Sequence, residues 1–306
     1  MRIGVMGAGS IGCVVGGRLT VVASVERQLG NFEEAEALAD CGVVLVCVKS
    51  AHTEAAAEAM LPVLSDDCVV VSMQNGLANP PILKRILGPR PIVPCIVGFN
   101  VVSRERALFH RAFSGTLMFE RSAAASDIIA ACSRAQLDVE VRDELLPDQC
   151  TKLVVNLNNA VSALSGAPSR QLLHDPGYRR IVGAVIGEAL DVLAAAGIKP
   201  APLRGVPLGV MRTVLKLPTP LVRLVTRAQM RVDPEPRSSM WEDLDKGRPT
   251  EIDYLNGEIV KLADEIGAPA PVNRRIVALV REAEKTSPGS PNIPADELWQ
   301  RLHDPG

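Results

Sequence analysis

The side chains best placed to do chemistry lie in one stretch, T-K-L-V-V-N-L-N-N-A-V-S-A-L, from Thr151 to Leu164. Read at helical period, Leu153, Leu157, Val161 and Leu164 form an apolar stripe. Lys152, Asn156 and Asn159 fall on another face, at i, i+4 and i+7. Asparagine is a poor helix former, because its amide competes for nearby backbone hydrogen bonds. Asn156, Asn158 and Asn159 each cost a helix about half a kcal/mol relative to alanine. A cationic amine flanked by amides can hold an oxygen-rich small molecule and protonate it. The bland alternative is a solvated polar face, or amides that tie helices together.

A second group of residues opens the chain. R-I-G-V-M-G-A-G-S-I-G predicts a short buried strand, then Gly7-x-Gly9-x-x-Gly12, then a helix continuing through Cys13 to Leu19. Strand, glycine turn and helix together are the context that dinucleotide binding requires. Gly7 permits the tight turn, Gly9 lets the backbone approach a pyrophosphate, and Gly12 lets the helix pack against the strand. Ser10 and Ile11 stand at the helix N-terminus, where backbone amides and the dipole favour an anion.

Other elements must position these two groups. Gly42 to Val48 is a continuous apolar run, as expected of a central parallel strand, and Lys49 stands at its end. Cys68 to Ser72 predicts the next strand, ending in Gln74-Asn75-Gly76. Open α/β sheets bind ligands at such strand ends. Thr53 to Leu64 and Ala123 to Ala135 read as helices, Pro91 to Val102 and Leu108 to Glu120 as strands, and Asp138 to Val141 as a last strand. His110 reads as structural. Between Thr20 and Gly42 there is room for one strand, over Val21 to Val25, and one helix. Glu26 or Arg27 would then stand at the strand tip, where an acid favours the free ribose hydroxyl of NAD and an arginine the phosphate of NADP. A domain boundary is expected over Arg142 to Leu146. Helices dominate beyond it: Pro176 to Ala196, two short ones within Pro202 to Arg231, Met240 to Lys246, Glu251 to Ile266, Pro271 to Lys285 and Ala295 to Leu302. Glu251 falls in a first helical turn, where the dipole favours a carboxylate.

Composition bounds the function class. The 306 residues suit about two domains. Net charge is −2 and aromatics are 3%, which disfavours a nucleic-acid surface and base-stacking platforms. No apolar run is long enough for a spanning helix, so no membrane partner is expected. The seven cysteines show no metal-site spacing, so no metal is expected. They read as small buried hydrophobes of a reducing, cytoplasmic protein. The fold class expected is α/β: a Rossmann-like domain over residues 1–143, abbreviated around its second strand, then an all-α domain over residues 144–306.

Five segments together resemble the ketopantoate reductase (2-dehydropantoate 2-reductase) family: G-A-G-S-I-G at 7–12, V-C-V-K-S at 46–50, Q-N-G at 74–76, K-L-V-V-N at 152–156, and S-S-M-W-E-D-L-D-K-G-R-P-T-E-I-D-Y-L-N-G at 238–257. The last is the most specific. The resemblance implies a cleft between the two domains and NADPH-dependent reduction of a 2-oxo acid to a 2-hydroxy acid, of the pantothenate-biosynthesis type. It implies Lys152 as the catalytic lysine and Glu251 as its paired acid, which also faces the cofactor. Asn75, Asn156, Asn159 and Ser239 match substrate or nicotinamide contacts, and Lys49 a cofactor contact. NAD is not excluded, and the assembly, a homodimer included, is left open. Two departures stand out. Some members carry a second substrate asparagine eight residues after the lysine, where this chain has Ala160, and the region from Thr20 to Asp40 is shorter than the family's. A nucleotide-binding sensor without turnover and a dehydrogenase of another oxo acid or an imine remain alternatives.

Overall fold

The computed structural model describes residues 2–22, 24–29, 35–99, 101–104, 108–111, 115–226, 237–286 and 288–303. The chain forms two compact units, residues 1–146 and 147–306.

The first unit is a seven-stranded sheet in the order β2-β1-β3-β4-β5-β8-β9, with a separate two-stranded sheet of β6 and β7. Its elements are β1 (Arg2–Met6), α1 (Ser10–Leu19), β2 (Ser24–Leu29), β3 (Val43–Val46), α2 (Thr53–Met60), β4 (Val69–Ser72), α3 (Asn79–Leu87), β5 (Ile92–Val97), β6 (Val101–Arg104), β7 (Leu108–Arg111), β8 (Leu117–Glu120), α4 (Ser126–Arg134) and β9 (Val139–Arg142). The strands pair in parallel, apart from β5 with β8 in the large sheet and β6 with β7 in the small one. Continuous apolar runs serve both faces of the sheet. In β3, Val43 and Leu45 enter one core with Ile3, Val5, Val15 and Leu19. Val44 and Val46 enter the opposite core with Met6, Met60, Leu83 and Leu87. That two-sided burial is what a helix-covered parallel sheet requires.

Three expectations change here. The strand expected at Val21 to Val25 begins later, at Ser24. The last turn of α1 continues through Val21 N–H to Arg18 C=O and Val22 N–H to Leu19 C=O, and it leaves Val21 82% exposed. Glu26 and Arg27 therefore lie within β2, with Arg27 opposite Gly4, and not at its tip; Leu29 is the last strand residue. A doubly wound sheet carries two strands beyond its first. Among the described residues only β2 lies there, followed by a short 3₁₀ turn, Ala35–Leu38. The two long strands expected over 91–102 and 108–120 are each split. Gly98 N–H donates to Thr116 C=O, and a Cβ on Gly115 would sit 2.1 Å from Gly98 O. The backbones approach so closely that only glycine fits, and the large-sheet strands stop short of this point.

The second unit is helical: α5 (Leu146–Asn156), α6 (Asn158–Ser165), α7 (Ser169–His174), α8 (Pro176–Ala195), α9 (Gly209–Lys216), α10 (Thr219–Thr226), α11 (Ser239–Asp245), α12 (Asn256–Ile266), α13 (Pro271–Thr286) and α14 (Ala295–His303). α8 starts as its sequence indicates, with Pro176 in the first turn and the Asp175 carboxylate accepting from Gly177 and Tyr178 N–H. Its Glu188 in turn accepts from Val272 and Asn273 N–H and so caps α13. Two helices expected to be continuous are broken. The chain turns at Leu157 between α5 and α6. At Leu255 (φ −118°, ψ −93°) a 3₁₀ turn, Ile252–Tyr254, gives way to α12. Glu251 thus precedes the 3₁₀ turn, and Glu258 occupies the first turn of α12. Residues 234–236 of the loop expected over 234–239 lie outside the described residues. Among those described, no helix is long and apolar enough to cross a membrane, and no group of His, Cys, Asp or Glu is arranged to hold a metal ion.

Candidate functional site

In the first unit, three loops leave the same edge of the sheet. The register aligns Met6 with Val46 and Val46 with Ser72. The glycine turn after β1, the Lys49 loop after β3 and the Asn75 loop after β4 therefore lie side by side at the carboxyl ends of adjacent strands. β1 is also where the strand order reverses, since β2 lies on one side of it and β3 on the other. That reversal marks the ligand crevice of doubly wound sheets.

The three glycines of the turn meet three different constraints. Gly7 has φ +109°, and a Cβ there would sit 2.6 Å from Val48 N. At Gly12 a Cβ would sit 2.1 Å from Gly7 O and 3.1 Å from Val5 Cγ1, so the helix rests directly on the strand. Gly9 is different: its backbone is ordinary and extended (φ −73°, ψ 180°), and among the described residues a Cβ there would meet no atom within 4 Å. No described residue requires glycine at Gly9, and the space beside it can admit a ligand. The first helical bond runs from Cys13 N–H to Gly9 C=O at 2.9 Å. The amides of Ser10 and Ile11 precede it, at the end of the helix suited to a phosphate. These features fit the pyrophosphate of a dinucleotide.

Lys49 is exposed, and its C=O accepts from His52 N–H at 2.8 Å as a short 3₁₀ turn begins. Asn75 is half-buried and precedes Gly76, which has φ +81°. Sequence reasoning passed over a buried side chain behind both loops, Asn79.

In the second unit, the stripe Leu153, Leu157, Val161 and Leu164 is at most 1% exposed. The turn at Leu157 leaves that burial intact. Lys152 and Asn156 remain half-buried on α5, one turn apart and so on one face. Asn159 is half-buried in the first turn of α6. Ser238, which the sequence reading passed over for its neighbour, links Asn159 to α11. Its hydroxyl donates to Asn159 C=O at 3.1 Å and accepts from Trp241 N–H at 3.1 Å, capping α11. Ser239, the next residue, is exposed at the start of that helix. An S-S pair before an apolar run was the signal for this cap. Ala160 is fully buried and offers nothing to a ligand.

Glu251 is 9% exposed and held by its neighbours. Thr250 N–H donates to the Glu284 carboxylate at 2.7 Å, and the Thr250 hydroxyl accepts from Ile252 N–H at 3.2 Å. Upstream, buried Asp243 pairs with Arg248 at 3.0 Å and fixes the turn that leads into this segment. Hydrogen bonds and an ion pair therefore fix the residues on either side of Glu251.

Comparison with known proteins follows the same division. The family model described as "Ketopantoate reductase PanE/ApbA" matches residues 24–123, and "Ketopantoate reductase PanE/ApbA C terminal" matches residues 144–284. The chain is 27% identical to a 2-dehydropantoate 2-reductase of Archaeoglobus fulgidus, over 92% of this chain and 98% of that one. It is 25% identical to a protein of the same name from Halobacterium salinarum, over 93% and 99%. Among solved structures, a PanE/ApbA family ketopantoate reductase from Ralstonia eutropha JMP134 matches with a TM-score of 0.76 and 28% identity, covering 93% of this chain and 98% of that one. A D-mandelate dehydrogenase solved with NADH and anilino(oxo)acetate shares the fold, with a TM-score of 0.73, 18% identity, and 94% and 99% coverage.

Proposed function

The chain belongs to the ketopantoate reductase family, and from that premise we propose that it reduces 2-dehydropantoate to pantoate with NADPH. The observation that carries the reading is the turn at Gly7 to Gly12, where two glycines are demanded by the fold and the third, Gly9, leaves an opening. When bound, the nicotinamide supplies the hydride. Residues 1–146 hold the dinucleotide: the amides of Ser10 and Ile11 and the clearance over Gly9 take the pyrophosphate, Gly7 and Gly12 shape the turn, and Lys49 and Asn75 add contacts at the neighbouring strand ends. Residues 147–306 carry the substrate and acid–base groups.

Lys152 stabilises the negative charge that develops on the carbonyl oxygen and donates a proton to it. A free lysine has a pKa of about 10.4 and is already the acid form at neutral pH. Glu251 is the paired carboxylate that favours the charged amine. Asn156, one turn from Lys152, orients the substrate carboxylate and carbonyl. Asn159 and Ser239 supply further hydrogen bonds from the junction of α6 and α11. The working compartment is the cytoplasm. The functional assembly is a homodimer, by analogy with a Staphylococcus aureus protein of this fold that is described as a dimeric ketopantoate reductase.

A second reading keeps the chemistry and changes the partners: NADH and a different 2-oxo acid. Two observations favour it. Ala160 replaces an amide by a buried methyl, and Arg27 sits within β2 and not at its tip, where it would read a 2′-phosphate. Steady-state oxidation of NADPH and NADH, each against ketopantoate and a panel of 2-oxo acids, separates the two. Highest kcat/KM for ketopantoate with NADPH supports the first reading. Preference for NADH and another oxo acid supports the second, and no turnover with any pair refutes both.

A further inference from the structure

The loops after β3 and β4 are joined from behind by a buried polar cluster. Asn79, at the start of α3, is 0% exposed. Its carbonyl oxygen accepts from the Thr53 hydroxyl at 2.6 Å. Its amide donates to Asn75 C=O at 2.6 Å and to the Ser50 hydroxyl at 3.1 Å. Thr53, also 0% exposed, accepts from the Gln74 amide at 2.7 Å, and that amide donates as well to Val48 C=O at 3.1 Å. The Gln74 oxygen accepts from Ser72, the last residue of β4, at 3.3 Å.

An asparagine just before two prolines ordinarily caps its own helix. Asn79 does not: α3 has no side-chain cap, and the bonds of this amide go to the two loops. One of them ends on the backbone of Asn75, and another on the residue directly after Lys49. A buried amide with its donors and acceptor matched in this way admits one arrangement of its partners, because any shift leaves a polar group unpaired in a dry site.

We propose that Asn79 is a positioning residue for the dinucleotide, locking the Lys49 and Asn75 loops into one rigid mouth with Thr53 and Gln74 as intermediaries. The inference rests on the functional reading above, and it names a residue that acts through others without touching the ligand. Losing the lock lets the two loops move independently, so binding must reorder them and affinity falls. Catalysis by bound cofactor changes little, because no reacting atom is involved.

The test compares dissociation constants for NADPH and NADH, read by nucleotide fluorescence without substrate, in wild type, Asn79→Ala, Asn79→Asp, Thr53→Val and Arg90→Met. Asn79→Ala is expected to weaken binding about tenfold or more, with kcat at saturating cofactor within about threefold of wild type. Asn79→Asp keeps the acceptor and loses the donor to Asn75 C=O. Protonation restores a donor, so its affinity recovers toward wild type on mild acidification, whereas a general packing defect would not. Thr53→Val supplies a milder version should Asn79→Ala fold poorly. Arg90→Met is the stability control: Arg90 is buried elsewhere in the same unit, donating to Ser65 and Leu87 C=O, and its loss lowers Tm without changing the dissociation constant. Wild type that binds nucleotide, with unchanged binding in Asn79→Ala and Thr53→Val, overturns the inference alone. So does equal weakening by Arg90→Met. A wild-type chain that binds neither nucleotide overturns the functional reading and the inference with it.

Discussion

Replacing Gly9 and Gly12 by alanine, one at a time, separates what the fold needs from what the ligand needs. At Gly12 the added Cβ would lie 2.1 Å from a backbone oxygen and 3.1 Å from Val5 Cγ1. Backbone cannot swing aside as a side chain can, so α1 must move off β1. Overpacking of this kind costs about 1–3 kcal/mol. For a unit of this size that lowers Tm by roughly 2–4 °C per kcal/mol, so Gly12→Ala should melt several degrees early. At Gly9 the added Cβ meets no atom of the described residues, and the backbone is ordinary for any residue. The only intrinsic cost is the poorer cap, at most about 1 kcal/mol. If a pyrophosphate lies against Gly9, the methyl occupies its approach, and the dissociation constant should rise about a hundredfold, equivalent to roughly 2.8 kcal/mol. The expected pattern is therefore crossed: Gly9→Ala loses binding with its Tm nearly kept, and Gly12→Ala loses Tm first. Thermal melts and nucleotide fluorescence titrations on the two variants are sufficient. Undiminished binding by a well-folded Gly9→Ala would refute the placement of the ligand at this turn.

Ser238→Ala removes the cap of α11 and its tie to Asn159 C=O together; a loss of about 1–2 kcal/mol in chemical denaturation is expected, with a higher KM for substrate if Asn159 and Ser239 contact it. Burial pushes the thiols of Cys68 and Cys132 up to about 12 and that of Cys150 up to about 11, from an ordinary value of 9.0. The folded state therefore holds these protons more tightly than the unfolded chain. Their contribution to stability is complete below pH 9 and is lost as pH rises toward 12. Cys132→Ala should flatten that alkaline fall in Tm, and Cys68, Cys132 and Cys150 should resist alkylation at neutral pH until the chain unfolds.

The parts of this molecule that were legible in advance are those where one local rule decides the outcome. The strand, turn and helix of residues 2–19 were readable because Gly7 and Gly12 each answer to a hard steric limit. The Asp175-Pro176 start of α8 was readable because cap and proline agree. The misread parts are places where a local pattern survives a change of backbone. Leu157 is buried whether the helix runs straight or turns there, so the apolar stripe cannot report the break. Ile252, Leu255 and Ile259 hold helical spacing and are each at most 2% exposed, yet Leu255 takes a conformation outside the helix. Glycines within the strands at Gly98 and Gly115 did carry a signal for the close approach, and they were read as part of continuous strands. β2 was misplaced because Val21 looks like a strand residue and is spent as an exposed turn after α1. In the candidate site, Lys152, Asn156 and Asn159 were singled out by type and spacing, and Ser239 by the resemblance alone. The residues that hold them, Asn79, Thr53 and Ser238, were not, since a buried partner is defined by what folds over it.

The proposed role of Lys152 as proton donor in a nicotinamide-dependent reduction of a 2-oxo acid is tested by single-turnover oxidation of NADPH by ketopantoate in wild type and Lys152→Ala, with the dissociation constant of NADPH measured on the same samples. The expected result is a rate at least about a hundredfold lower in Lys152→Ala with the dissociation constant nearly unchanged. A Lys152→Ala protein that binds the nucleotide and reduces the substrate at close to the wild-type rate would contradict it.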